Sequence, residues 1–130
     1  MDTLDMGACL ETCRVALAER LERGEDKPWN NHPAFTGVRL KHLVTGKDTA
    51  GGMSCHLVDV APGCALGLHT HETQWEQHQV LSGSGEANLG AGSVAYAPGV
   101  LAVIPRGQRH EVQAGSQGLR LLATFFPALL

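Results

Sequence analysis

Four residues with metal-ligating or acid–base side chains, His69, His71, Glu76 and His78, fall within ten positions of one another, and His110 stands just past a turn at Pro105-Arg106-Gly107. A β-strand alternates its side chains between two faces, so His69 and His71 project from the same side. Two imidazoles on one face make half of a metal site. Glu76 follows after enough residues to reverse the chain, and a strand leaving the Pro105–Gly107 turn can deliver His110 to the same centre. Three neutral imidazoles and one carboxylate suit one borderline divalent transition metal: Zn, Ni, Fe, Mn, Co or Cu. Such a set leaves coordination positions open, unlike the closed, often cysteine-rich tetrahedron of structural zinc. Alternation puts His78 on the same strand face as Glu76, where it faces the cavity without being a ligand. An imidazole titrating near neutrality there could act as a general base. Gln74 fits a shorter spacing and is a rival for the position of Glu76.

The glycines around these residues carry a resemblance. Gly63, His69, His71, Glu76 and Gly83 match the first cupin motif position by position. Gly99, Pro105, Gly107 and His110 match the second, whose usual closing Asn is replaced by Ala114. Over about the C-terminal two-thirds of its length the chain resembles a small single-domain bacterial cupin. The resemblance implies an all-β fold, a small jelly-roll barrel, with the metal in its interior on His69, His71, Glu76 and His110. Cupins include dioxygenases, isomerases, epimerases, lyases, decarboxylases and non-catalytic binders, so fold does not fix function. The expected function is a metal-dependent enzyme of dioxygenase, isomerase or lyase type on a small oxygen-rich molecule: a carboxylate, sugar or phenolic compound. Its substrate would chelate the metal through a carbonyl or hydroxyl. The alternative is a non-catalytic ligand-binding or sensor cupin, and a third reading is a barrel that its metal merely stabilises.

At 130 residues the chain is of single-domain size, and its formal net charge of −3 comes without a basic run. Neither a nucleic-acid surface nor a membrane partner is expected. No apolar stretch approaches the ~20 residues that span a bilayer. The opening Met-Asp-Thr-Leu-Asp is acidic and lacks the positive start of a signal peptide, so a cytoplasmic protein is expected. Cys9, Cys13, Cys55 and Cys64 do not imply a disulfide framework in that setting.

The elements that must position the site follow from periodicity. Leu10, Cys13, Leu17 and Leu21 form an apolar stripe at helical spacing, which predicts one N-terminal α-helix over residues 8–23. Residues 25–35, with Pro28 and Pro33 around Trp29, read as a loop. Residues 1–36 thus form a helix and connecting arm, and 37–130 the barrel. Strands are expected over 37–45, 53–61, 68–71, 76–81, 94–96, 100–104, 111–113 and 119–126, with a glycine-rich turn region at 82–92. His42 and His56 could line the cavity and read as hydrogen-bonded barrel histidines, and His32 as a surface histidine. Arg106 and Arg109 read as solvated. The apolar helix stripe and the apolar tail from Phe125 to Leu130 point to a homodimer, since a jelly roll also leaves edge strands open to pairing.

Overall fold

The computed structural model describes residues 5–130. Ten strands carry the fold: β1 Arg14–Ala16, β2 Leu21–Arg23, β3 Trp29–Asn31, β4 Val38–Val44, β5 Ser54–Val60, β6 Ala65–His69, β7 Trp75–Asn88, β8 Ser93–Tyr96, β9 Leu101–Ile104 and β10 His110–Phe126. Two short helices join them, α1 at Met6–Glu11 and α2 at Gly46–Thr49. The fold is the all-β barrel expected, with one helix at its N-terminus.

Its spine is a long antiparallel ribbon of β7 and β10, paired from Trp75↔Phe126 to Asn88↔Glu111. On the outer edges of this ribbon the two halves take different neighbours. The first half of β10 pairs with β6 and its second half with β5, which continues to β4 and β3. The first half of β7 pairs with β9 and its second half with β8. The ribbon therefore belongs to both walls, and the walls close over a core that includes Val38, Val58, Leu66, Val80, Val112 and Leu121.

Three expectations need correction. The helix does not run over residues 8–23. It ends at Glu11, and Arg14–Arg23 is a β-hairpin whose Leu21 is 60% exposed, so the apolar stripe does not exist as a face. Lys41 supplies the physical reason. Its buried ammonium on the outer face of β4 takes the carbonyls of Glu11 (3.0 Å) and Gly24 (2.8 Å). A helix through 8–23 would have tied up the Glu11 carbonyl within itself. Residues 82–92 are also not a turn region throughout, because β7 runs on to Asn88. Gly83, at φ +79°, is where the ribbon bends, and a Cβ there would strike the Gly118 carbonyl. The arm is likewise not all loop, since β3 within it pairs with β4.

Candidate metal centre

His69 ends β6 and is the direct register partner of His110, the first residue of β10. Glu76, second in β7, lies opposite Phe125 on one side and Ile104 on the other. His71 sits in the loop between β6 and β7, and its carbonyl accepts the Gly107 N–H at 2.9 Å. Gly107, at φ +76°, thereby pins the turn before His110 to the loop carrying His71. One potential ligand atom from each of His69, His71, Glu76 and His110 lies within 4.8 Å of all the others.

The donors are preset. His69 Nδ1 donates to the Gly67 carbonyl (2.6 Å) and His110 Nδ1 to the Gln108 carbonyl (2.9 Å). Both imidazoles therefore present Nε2 to the centre, the arrangement in which backbone carbonyls fix the tautomer of metal-ligating histidines. Glu76 Oε1 and His110 Nε2 are buried and 3.1 Å apart, yet neither makes an aligned hydrogen bond. His71 Nε2 is 3.6 Å from the same Oε1. Buried polar atoms left in this state cost about 1–3 kcal/mol each. The residues fit a divalent cation, which would satisfy both atoms.

Electrostatics agree with a ligand set ready to bind. Burial pushes the Glu76 carboxyl up, but the imidazoles of His110 and His78 beside it outweigh burial and hold it well below the usual carboxylate range. Burial holds His69 and His71 below the ordinary imidazole value, toward the neutral form a metal requires. For His110 burial acts the same way, but the Glu76 carboxylate prevails and raises it.

His78 lines the same cavity and is 1% exposed. Its Nε2 donates to Glu76 Oε2 at 2.6 Å, and its Nδ1 accepts the Tyr96 hydroxyl at 2.9 Å. Both ring nitrogens are thus engaged. Gln74 lies outside the cluster, with its amide 3.5 Å from the Ala128 carbonyl. Arg106 and Arg109 are exposed. His32 is half-buried at the cavity, stacked on Phe35 at 4.6 Å, and His42 and His56 line the cavity with their Nδ1 atoms 2.8 Å apart. Sequence reasoning did not single out Tyr96. It reaches His78 only through the β7–β8 pairing, for which the sequence carries no local signal.

The cavity behind these groups is small, about 60 Å³. Leu129 and Leu130 of the C-terminal segment close it on one side, and no Lys or Arg is among its lining residues.

Comparison with known proteins follows the same lines. A family model described as "Cupin domain" matches residues 56–125. The chain is 35% identical over 114 residues to the ribosomal protein L11 methyltransferase of Halorhodospira halophila, a match covering 79% of this chain and 36% of that protein. The chain thus spans only about a third of the length of that curated relative. Among solved structures it is similar to a predicted oxalate decarboxylase from Thermotoga maritima (TM-score 0.72, 22% identity, 79% of this chain and 95% of that one). It is also similar to KdgF from Halomonas sp. (TM-score 0.70, 19% identity, 79% and 90%). A third is the polyketide cyclase RemF from Streptomyces resistomycificus (TM-score 0.68, 21% identity, 82% of each chain). At these identities the structural likenesses speak for the fold alone.

Proposed function

The chain belongs to the cupin family, and we propose that its barrel holds one divalent transition metal on His69, His71, Glu76 and His110 and works as a metal-dependent enzyme on a small oxygen-rich molecule. A carboxylate, sugar or phenolic compound is the substrate class, and dioxygenase, isomerase or lyase chemistry the reaction type. The observation that carries this reading is the pair of buried, unpartnered atoms Glu76 Oε1 and His110 Nε2, 3.1 Å apart. When bound, the metal would supply Lewis acidity or a site for oxygen. The protein's part is orientation. The general base expected at His78 has no open ring nitrogen, so we assign His78 as a positioning residue that holds Glu76 through Oε2, with Tyr96 behind it.

That same observation favours the second reading, a non-catalytic ligand-binding or sensor cupin, because it leaves the centre without an open acid–base group at that position. One experiment separates the readings. The metal content of the purified protein is measured first, and a small-molecule thermal-shift screen of the loaded protein follows. About one metal per chain is expected. Stabilising compounds that are turned over support the enzyme; stabilisation without product supports the binder. A protein that takes up no divalent metal overturns the proposal.

The reading extends to the whole protein as a cytoplasmic homodimer, with residues 37–130 as barrel and 1–36 as helix and arm. Four free cysteines suit a reducing compartment. Among the described residues no helix is long and apolar enough to cross a membrane.

A further inference from the structure

Strand β10 ends at Phe126, before Pro127, which has no N–H to continue a ladder. The residues that follow are tied instead to the stretch from α2 to the start of β5. The Ala128 N–H donates to the Gly51 carbonyl at 3.0 Å, and the Gly46 N–H to the Leu130 carbonyl at 2.5 Å. The Leu129 N–H donates to Ser54 Oγ at 2.9 Å. Gln74 adds a long contact, its amide 3.5 Å from the Ala128 carbonyl.

The side chains of Leu129 and Leu130 line the cavity that holds the proposed metal ligands, yet they stay 36% and 58% exposed. Little apolar burial therefore fastens the segment. Its fastening is main-chain hydrogen bonding, which has a modest net worth because water offers the same groups partners. Ser54 is buried but keeps His56 Nε2 at 2.9 Å, so it is not orphaned when Leu129 leaves. The strands that line the same cavity are held by register pairing along β4, β5, β10 and β7. The tail is held by no ladder, and it is the part of the wall that can leave at little cost.

The space left beside the ligands is about 60 Å³. That is room for about two waters, whereas pockets for small-molecule ligands begin at about 300 Å³. A carboxylate, sugar or phenolic substrate does not fit the cavity as it stands.

We propose that Ala128–Leu130 is a strap over the metal cavity: closed, it admits water or a ligand of a few atoms, and a substrate of the proposed class enters only when the strap peels away from Gly46, Gly51 and Ser54. The proposal rests on the metal reading above for what the substrate meets inside; the strap itself rests on the hydrogen bonds and the size of the cavity. Gly46 gives a handle on it. A Cβ there would stand 3.1 Å from the Leu130 carbonyl oxygen and 3.2 Å from Ala128 Cβ, so a larger residue pushes the tail off its seat. Gly46 has no positive φ, and the backbone does not resist the substitution.

Two measurements test this. In the metal-free protein, hydrogen exchange followed by NMR should give the Gly46, Ala128 and Leu129 amides one common protection factor, about a hundredfold below that of the β7 and β10 amides. Protection equal to the ribbon's, or three unrelated values, overturns the strap. In the cobalt-loaded protein, stopped-flow absorbance compares azide with catechol. Azide fits the closed cavity and should bind at one rate in the wild type, in a variant lacking Ala128–Leu130 and in Gly46→Val. Catechol should bind about tenfold faster in both variants than in the wild type, because opening limits its entry. A catechol rate unchanged in the folded variants, or azide accelerated as much as catechol, overturns the proposal. If the deletion does not fold, Gly46→Val decides alone. Cobalt is quantified in the same samples. A wild-type protein that takes up no cobalt counts against the metal reading, and the exchange rates still decide the strap.

Discussion

At the scale of single residues, the site is organised by what holds Glu76. One carboxylate oxygen faces the imidazoles of His71 and His110, and the other is tied to His78, which Tyr96 holds in turn. Replacing an outer partner of a metal ligand typically costs about 10–100-fold in metal affinity. His78→Phe is therefore expected to weaken zinc binding by about that factor while the barrel stays folded, measured by competition with a chelating dye. Unchanged affinity would remove His78 from the site. His71→Ala is expected to lose most of the metal outright, because it deletes a proposed ligand; full metal occupancy in that variant would sink the ligand set. The four proposed ligands could be picked out by their spacing, which is local; the alternation that put His71 on a strand beside His69 does not hold, because β6 ends at His69 and His71 follows in the loop. The role of His78 was not legible. Its strand face could be read, but whether its nitrogens were open depended on Tyr96, eighteen positions away and joined only through strand pairing. The His42–His56 pair was hidden for the same reason, since each histidine alone reads as an ordinary barrel residue.

At the scale of elements, the strands were legible and the N-terminal segment was not. Strands 4, 5, 8 and 9 lie within a residue of where alternation and the flanking glycines and prolines put them, whereas β6 begins and ends earlier, β7 runs on to Asn88 and β10 joins two expected strands into one, because pairing along the ribbon carries them past the local turn signals. Residues 8–23 carry a helical stripe too, yet they fold as a short helix and a hairpin because tertiary contacts outweigh the local preference. Lys41 binds the Glu11 and Gly24 carbonyls, and Trp29 packs beneath the Arg39 guanidinium at 4.4 Å while donating to Glu11 at 3.2 Å. Arg120 adds ion pairs to Glu11 (3.0 Å) and Asp59 (2.8 Å). The arm is thus anchored by long-range polar contacts rather than by an apolar face. Hydrogen bonds from a charged donor contribute about 1.5–3 kcal/mol. Lys41→Met is expected to lower stability to urea by about that amount, and to make the peptide bonds near Arg14 and Arg23 sensitive to trypsin while those of the barrel resist. Unchanged digestion would show that the arm is held by something else.

For the whole molecule, acid should be the weak side. His56 is buried and neutral, with its proton affinity depressed from 6.5 to about 4. Above pH 6.5 neither folded nor unfolded chain is protonated there, and stability is unaffected. As pH falls from 6.5 the unfolded chain takes up a proton that the folded chain refuses, so stability drops until about pH 4. The difference corresponds to about 3 kcal/mol. Burial shifts His32, His42, His69 and His71 in the same direction, while His110 is raised and opposes them. Urea midpoints of the metal-free protein should fall between pH 7 and 5, and fall less in His56→Gln; a flat profile would refute the buried neutral imidazole. The last expectation concerns association. The tail counted on for a dimer interface is partly spent, because Phe125 is buried at the cavity and Leu129 and Leu130 close it. Leu130 still stands 58% exposed, and Phe126 joins a second patch of exposed apolar surface on the sheet. Leu101 and Val103 on edge strand β9 are each 59% exposed, and Trp75 and Phe126 over 40%. Their register partners between are Gln77, Gln79 and Thr124, so this sheet face bears no charge. An edge strand without charged guards invites another strand, and an uncharged face meets its own copy without repulsion, the condition for a two-fold contact. Burying each large side chain contributes about 1.5–3 kcal/mol. Sedimentation at micromolar concentration should therefore give twice the 13.8 kDa chain mass. Val103→Lys should return the protein to monomers with its metal content intact, because the face points away from the cavity. A wild-type monomer, or a dimer indifferent to that charge, would place the interface elsewhere or nowhere.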